Sequence, residues 1–175
     1  MKTMYTLEEA SIIADGVLGA IRPLVERAEV AGSIRRRRKM VHDIDIVLIP
    51  MKSDIPGTPF RFDVDFFPTG ILRAIETNLE DVEVVKKGPV LSQVRVKGIQ
   101  VDLYCSNEEE WGMHLLRWTG SQQHNIKLCV RAEELGYRLR VSRGLVYNGK
   151  VIASKTEQEI FDALEMEYIE PWERE

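Results

Sequence analysis

Two aspartates, Asp43 and Asp45, stand one residue apart at the start of the strand-forming run "DIDIVLIP". Side chains alternate along a strand, so both acids share one face while Ile44 and Ile46 share the other. A third acid, Asp102, interrupts another apolar stretch, "IQVDLYC", in the same manner. If the two strands are neighbours, about 4.8 Å apart, the three carboxylates converge.

Three converging carboxylates need a counter-charge. Two charges about 5 Å apart at an effective dielectric of about 20 repel by roughly 3 kcal/mol, so an unneutralised trio is costly. Oxygen ligands in small number favour Mg²⁺ or Mn²⁺, and paired ions about 3.5 to 4 Å apart serve in-line phosphoryl transfer. Asp43, Asp45 and Asp102 are therefore the predicted metal-binding and catalytic residues.

The residues before these aspartates suit a polyphosphate. Gly32 permits a tight turn and a close backbone approach, and Ser33 offers a hydroxyl. The five consecutive cations at positions 35–39 balance a triphosphate, although such a run also occurs in solvated loops. A second Asp-x-Asp pair, Asp63 and Asp65, follows no Gly-Ser turn and lies in a Pro-bounded segment, so we expect solvated edge acids there.

Composition excludes several classes of protein. The chain has 175 residues, 44% hydrophobic and 30% charged, which fits a folded globular unit. No apolar stretch approaches the roughly 18 residues of a membrane span, and the N-terminus lacks a signal-peptide layout. We expect an intracellular protein, cytoplasmic unless the setting is nuclear or viral, with no membrane partner. The two cysteines form no disulfide or metal-site spacing, and the net charge of −4 argues against a general polyanion binder.

Turn and capping residues divide the chain into two lobes. A capping box at Thr6 precedes the helix "LEEASIIADGVLGAI", and "GILRAIETNLEDV" predicts a second helix. Lys97-Gly98 joins two strands. After residue 107 the pattern predicts two helices, a hairpin at Asn148-Gly149 and a final helix capped by Thr156. The predicted division is an α/β first lobe at 1–107 and a smaller second lobe at 108–175.

These motifs together resemble a known group. Gly-Ser, two arginines and Asp-x-Asp on a strand, with a further Asp on a later strand, resemble the nucleotidyltransferase signature. "LLRWTGSQQHNIKLCVRAEELGYRL" and "TEQEIFDALEMEYIEPWERE" narrow the resemblance to the family X DNA polymerases, the group of DNA polymerase beta. The resemblance runs from near residue 1 to residue 175. It implies an α+β fold, in which a palm with a mixed or antiparallel sheet and helices on one side precedes a small α/β C-terminal lobe.

The resemblance also implies roles for single residues. Asp43 and Asp45 would hold two Mg²⁺ ions, with Mn²⁺ as an alternative, and Asp102 would hold the catalytic ion and help deprotonate the primer 3′-hydroxyl. The implied nucleotide-binding residues are Gly32, Ser33 and Arg36 at the triphosphate, His42 beside it, Trp118, Thr119 and Gly120 at the sugar, and Asn125 at the base. The residues expected to contact DNA phosphates are Arg35, Arg37, Arg38, Lys39, Arg138 and Arg140.

Four positions depart from the family pattern. His42 replaces a small Gly beside the phosphates, and Arg117 replaces the Tyr or Gly that precedes the aromatic residue. Phosphate contacts at His42 and the discrimination between deoxyribose and ribose therefore do not follow from the resemblance. Gln122 and Cys129 replace residues that face the base pair, so fidelity does not follow from it either.

The implied activity is DNA-directed DNA synthesis. We expect a monomer that adds a dNTP to the 3′-hydroxyl of primed or gapped DNA, in short gap filling during DNA repair such as base excision repair. Since little sequence precedes residue 32, no lyase domain is expected. Two alternatives stay open: a template-independent or small-substrate nucleotidyltransferase, and a non-catalytic DNA-binding module that keeps the fold.

Overall fold

The structure is a computed structural model that describes residues 3–51 and 66–175, so the pair Asp63 and Asp65 lies outside the described residues. The α-helices of this part of the chain are α1 Leu7–Ile21, α2 Gly32–Arg35, α3 Phe66–Asn78, α4 Trp111–Thr119, α5 Gln122–Glu134 and α6 Glu157–Ala163. The strands are β1 Tyr5–Thr6, β2 Val25–Val30, β3 Met40–Val41, β4 Asp43–Pro50, β5 Val82–Lys86, β6 Leu91–Val96, β7 Ile99–Cys105, β8 Arg138–Arg140, β9 Gly144–Tyr147 and β10 Lys150–Ala153. Short 3₁₀ turns occupy Arg22–Leu24 and Pro171–Glu173.

A five-stranded mixed sheet forms the first lobe, in the order β2-β4-β7-β6-β5. Strands β4 and β7 are parallel, and the other neighbours are antiparallel. The two strands that carry the predicted site therefore lie side by side inside the sheet, each with a strand on both sides.

The faces of β4 divide as the alternation predicts. Ile44, Ile46 and Leu48 pack with helices α1 and α3 in the main core. Val47, on the aspartate face, packs in a second cluster with Trp111 and other residues, among them Leu115, Tyr104, Ala31 and Ile49. The aspartate face is thus covered further along by helix α4, which belongs to the second lobe.

The second lobe has its own core. Helices α4, α5 and α6 enclose it together with the three-stranded antiparallel sheet β10-β9-β8. Leu116, Leu128, Leu145 and Phe161 are fully buried there. The predicted α+β fold is confirmed, whereas the division at residue 107 stays a prediction because the cluster around Trp111 joins the two lobes.

Local sequence signals explain most element boundaries. Reciprocal capping boxes are present at Thr6 with Glu9 and at Thr156 with Glu159, as predicted. Lys97 and Asn148 adopt positive φ angles of 49° and 47° before glycines, which fits two-residue hairpin turns.

Two predicted element ends were wrong, and four strands were not predicted. Helix α3 ends at Asn78 and not beyond Leu79, because Asp81 turns the chain at φ 53° into strand β5. The sequence "EVAGS" predicts a strand that continues to Ser33, but strand β2 ends at Val30, since Gly32 opens a helical turn. The strands that were not predicted are β1, β3, β5 and β8.

Within residues 3–51 and 66–175, no helix combines the length and apolar character that crossing a membrane requires.

Candidate active site

Asp45 and Asp102 face each other as register partners on the parallel strands β4 and β7. Asp43 pairs with Gln100 two residues earlier on the same ladder, so it shares a face with Asp45. The charges of Asp43 and Asp102 both act on Asp45. The structure thus gathers the three acids at the start of two adjacent strands.

Burial and like charge both act on Asp45. Burial, followed by the charges of Asp43 and Asp102, raises the pKa of Asp45 to about 7 in total. The hydroxyl of Tyr104 and the charge of Arg36 act in the opposite direction but do not cancel the increase. A divalent cation would offset this repulsion, and a set of carboxylate oxygens is the donor type that Mg²⁺ and Mn²⁺ prefer. The residues present therefore fit the expected ions.

Protein donors already occupy the oxygens of Asp102, which is only 9% exposed. Oδ1 accepts hydrogen bonds from Nε2 of Gln93 at 2.9 Å and of Gln100 at 2.8 Å. The hydroxyl of Tyr104 lies 3.4 Å from Oδ2 of Asp102 and 3.2 Å from Oδ1 of Asp45. In the described ranges, no group of three His, Cys, Asp or Glu side chains is already arranged to hold a metal ion. The structure brings the acids together, but hydrogen bonds from the protein engage oxygens of Asp45 and Asp102.

The Gly32-Ser33 turn lies directly against Asp45. Gly32 has φ 56°, and a Cβ atom there would stand 1.9 Å from Oδ2 of Asp45, so only glycine fits. The backbone N–H of Ala31 donates to the carbonyl of Asp45 at 2.7 Å. Among the described residues, no hydrogen-bond partner reaches the buried Oγ of Ser33 or the buried Nε of Arg36. Two buried polar atoms beside the acids are thus left for a ligand.

The predicted sugar-facing turn closes the opposite side of this region. Trp118 stacks on Tyr104 with ring centroids 3.8 Å apart and planes 13° apart. Arg36 donates to the carbonyl oxygen of Thr119. Gly120 has φ 68°, its peptide bond to Ser121 is cis, and a Cβ atom at Gly120 would stand 3.2 Å from Nη1 of Arg36. The turn therefore contacts both the acid cluster and the basic run.

Two further predicted nucleotide residues make other contacts. Asn125 donates from Nδ2 to the carbonyl oxygen of Arg117 at 2.9 Å, which ties helix α5 to the end of α4. His42 is exposed, and its Nδ1 lies 3.4 Å from the carbonyl oxygen of Thr3. Neither contact assigns a ligand.

The basic run is largely bound to the second lobe. Arg35 makes a two-pronged ion pair with Glu157, at 2.8 and 2.7 Å, and donates to Oγ1 of Thr119 at 2.8 Å. The Arg37 guanidinium lies 4.0 Å from the ring centre of Trp172, and Arg38 pairs with Glu175 at 3.0 Å. We had expected Arg35, Arg37 and Arg38 to face DNA, yet their guanidinium groups contact the C-terminal lobe.

Glu157 is the centre of a second buried charge cluster. It also accepts from Arg174 at 2.6 Å and from the hydroxyl of Tyr168 at 3.0 Å. Burial alone would raise the pKa of Glu157, but hydrogen bonds and charges from Arg35 and Arg174 outweigh it and lower the pKa. Arg174 is fully buried. Lys39, Arg138 and Arg140, in contrast, are exposed.

Comparison with known proteins matches this chain to polymerases. The DNA polymerase beta thumb family matches residues 114–175. DNA nucleotidylexotransferase from Gallus gallus is 36% identical over 83% of this chain and 35% of its own length. DNA polymerase IV from Saccharomyces cerevisiae is 31% identical over 43% of this chain and 13% of its own length. These relatives are members of family X.

The chain is similar to family X of the DNA polymerases. It spans only 13% to 35% of the length of the first relatives it matches. A Leishmania infantum polymerase beta, solved as a ternary P/T complex, has the same fold, with a TM-score of 0.80 and 19% identity over 99% of this chain and 77% of that one. Family X polymerases use divalent metals, which agrees with the raised pKa of Asp45.

Sequence reasoning missed several residues at this site. Tyr104 stands two positions after Asp102, so strand alternation alone could have placed both on one face. Gln93 is the cross-strand partner of Asp102, which no sequence signal revealed. Glu157 resembled an ordinary first-turn acid of a helix, and only the fold brings it to Arg35.

Proposed function

We propose that this chain is a DNA-directed DNA polymerase of family X that adds a dNTP to a primer 3′-hydroxyl, in short gap filling during repair. One observation carries the proposal: Asp45 and Asp102 are register partners on adjacent parallel strands, and burial together with the charges of Asp43 and Asp102 raises the pKa of Asp45 to about 7. Such a cluster has no structural benefit, because buried like charges oppose folding.

The metal ions of the proposal would be two Mg²⁺, or Mn²⁺ in their place, held by Asp43, Asp45 and Asp102. When bound, they lower the pKa of the attacking hydroxyl and neutralise charge on the leaving pyrophosphate. The chain supplies position and electric field. Since the ions would supply the positive charge, none of the aspartates needs to act as a base by itself.

The triphosphate subsite of the proposal rests on Ser33 and Arg36. Both carry buried polar atoms that lack a protein partner in the described part of the chain, which is costly unless a ligand completes them. Gly32 keeps the backbone close to Asp45, so phosphates bound at this turn would lie beside the acids. The ring of Trp118, fixed by Tyr104, offers a flat apolar surface to the nucleotide sugar.

DNA is the proposed partner, with the protein acting as a monomer. We assign phosphate contacts to the exposed cations Lys39, Arg138 and Arg140. Arg35 is assigned instead to contact between the lobes, because Glu157 pairs with it. Since the net charge is −4 and few cations are available, DNA binding should weaken steeply as salt rises.

Primer extension on DNA with a single-nucleotide gap tests the proposal. The Asp102→Ala variant should lose at least about three powers of ten in turnover, each worth about 1.4 kcal/mol, without loss of the fold. Asp162→Ala is the matched control, since Asp162 is exposed and its side chain accepts from Gln158 within helix α6. Extension by Asp102→Ala at the parental rate would contradict the assignment. DNA binding by the parent without any incorporation would favour a non-catalytic module.

A template-independent transferase is the second candidate. The 36% identity to a DNA nucleotidylexotransferase over 83% of this chain favours it. Extension of a single-stranded primer with no template, compared with the gapped substrate, separates the two activities. Parallel reactions with dNTPs and rNTPs show whether Arg117, beside the sugar-facing turn, permits ribose.

A further inference from the structure

We propose that Tyr104 is a positioning residue that holds Asp45 and Asp102 together, competes with a metal ion for their oxygens, and links their release to Trp118. The inference rests on the proposed two-metal function of these acids. It concerns a tyrosine to which the motif gave no role.

The Tyr104 hydroxyl bridges the two acids that must share an ion. It lies 3.2 Å from Oδ1 of Asp45 and 3.4 Å from Oδ2 of Asp102. A single hydroxyl has one proton to donate, so it serves the two carboxylates in turn. Any ion that contacts both of these oxygens must displace or share the hydroxyl. Tyr104 would therefore compete with a metal ion for these two carboxylate oxygens.

Tyr104 is suited to remain in this position. It is only 6% exposed, so little solvent reaches it. The ring packs in the cluster that includes Val47 and Trp111. A phenylalanine could keep this packing and lose only the hydroxyl.

The same ring connects the acids to the nucleotide side. Trp118 stacks on Tyr104 at 3.8 Å, nearly parallel, and Thr119 follows it in the turn that contacts Arg36. Because the hydroxyl is fixed to its ring, withdrawing it from the acids requires the ring to move against Trp118. Metal binding at the acids should therefore change the position of Trp118, whose ring is proposed to contact the nucleotide sugar.

The first test measures Mn²⁺ binding to the protein without DNA or nucleotide. Loss of free Mn²⁺ signal in electron paramagnetic resonance is compared for the parent, Tyr104→Phe and Tyr147→Phe. Tyr147 is exposed on the hairpin and makes an edge contact with Tyr137, so it is the matched control. Tyr104→Phe should bind Mn²⁺ about five- to tenfold more tightly, because the ion no longer displaces a hydrogen bond. Unchanged or weaker binding by a folded Tyr104→Phe would overturn the proposal.

The second test begins with the parental protein and measures the response of Trp118 to the metal. Tryptophan fluorescence is followed as Mn²⁺ is added, and Trp118→Phe identifies the part that Trp118 contributes. The proposal predicts a change assigned to Trp118 that saturates with the Mn²⁺ binding curve and decreases in Tyr104→Phe. A Trp118 signal indifferent to Mn²⁺ would overturn the coupling.

Primer extension separates this inference from the proposed function. If the parent extends primers while Mn²⁺ affinity ignores the Tyr104 hydroxyl, the inference about Tyr104 fails alone. If Mn²⁺ binding responds as predicted but no nucleotide is incorporated by the parent, the proposed function fails and the role of Tyr104 in holding the acids stands.

Discussion

Two buried carboxylate sites in this protein have opposite electrostatics. Glu157 accepts from Arg35, Arg174 and Tyr168, and its pKa is lowered despite burial. Asp45 is surrounded by other acids, and its pKa is raised to about 7. Burial acts in the same direction on both, so the difference comes from the neighbours.

This difference distinguishes a structural site from a binding site. The Glu157 cluster is complete within the chain and joins the basic run of the first lobe to the end of the second. At Asp45, by contrast, the neighbouring charges of Asp43 and Asp102 outweigh that of Arg36, so a cation from outside would relieve the repulsion. Removing a charge should therefore weaken the protein at one site and strengthen it at the other.

The largest effect is expected at Glu157. Glu157→Gln leaves two arginines, Arg35 and Arg174, without their shared carboxylate in a buried position. Breaking such a cluster on one side costs about 3 to 5 kcal/mol of unfolding free energy, which urea denaturation measures. Glu175→Gln is the control, because Glu175 is exposed and its pair with Arg38 is worth about 1 kcal/mol or less. Equal losses in the two variants would contradict the comparison.

At Asp45, removal of the charge is expected to increase the unfolding free energy. Asp45→Asn removes one of the repelling charges, so the metal-free protein at pH 8 should gain about 2 to 3 kcal/mol of unfolding free energy while primer extension is lost. Differential scanning calorimetry and urea denaturation measure the gain. Adding Mn²⁺ provides the internal check, since it should raise the Tm of the parent more than that of the variant. A destabilised Asp45→Asn protein would show that the acids are structurally supported after all.

The fold was largely predictable because its signals are local. Capping boxes at Thr6 and Thr156 and the turn pairs Lys97-Gly98 and Asn148-Gly149 mark element ends by backbone chemistry within a few residues. The end of α3 was missed, because residues 79–82 continue a helical pattern while the left-handed Asp81 breaks it. Strand β8 is three residues long, too short for alternation to identify.

The candidate site likewise has residues that were predictable from local sequence and residues that were not. Asp43, Asp45 and Asp102 were predictable because strand alternation and a motif placed them, and parallel pairing then brought the strands together. The partners of Arg35 were not predictable, since Glu157 is separated from it by 122 positions and only tertiary packing joins them. A run of arginines in sequence therefore gave no way to separate cations that face DNA from cations that hold the fold.

His124 is a buried group that becomes positive when it is protonated, so burial should shift its pKa in the opposite direction to that of a carboxylate. It is 3% exposed, and within the described residues neither ring nitrogen has a hydrogen-bond partner. Burial lowers its pKa to about 4, and the charge of Arg174 adds to the effect, while Asn125 and Glu157 oppose it.

An ordinary histidine titrates near pH 6.5, so between pH 6.5 and 4 the unfolded chain binds more protons at His124 than the folded one does. Stability must then fall with acidification, by about 2 kcal/mol between pH 7.5 and pH 5 from His124 alone. Urea denaturation at these two pH values should show that loss in the parent and a smaller one in His124→Gln. His114→Gln is the control, since the pKa of His114 is also lowered by burial but Glu110 offsets part of the change. If His124→Gln loses as much stability on acidification as the parent, His124 does not cause the loss. Burial and the charge of Arg174 then do not keep it neutral in the folded protein.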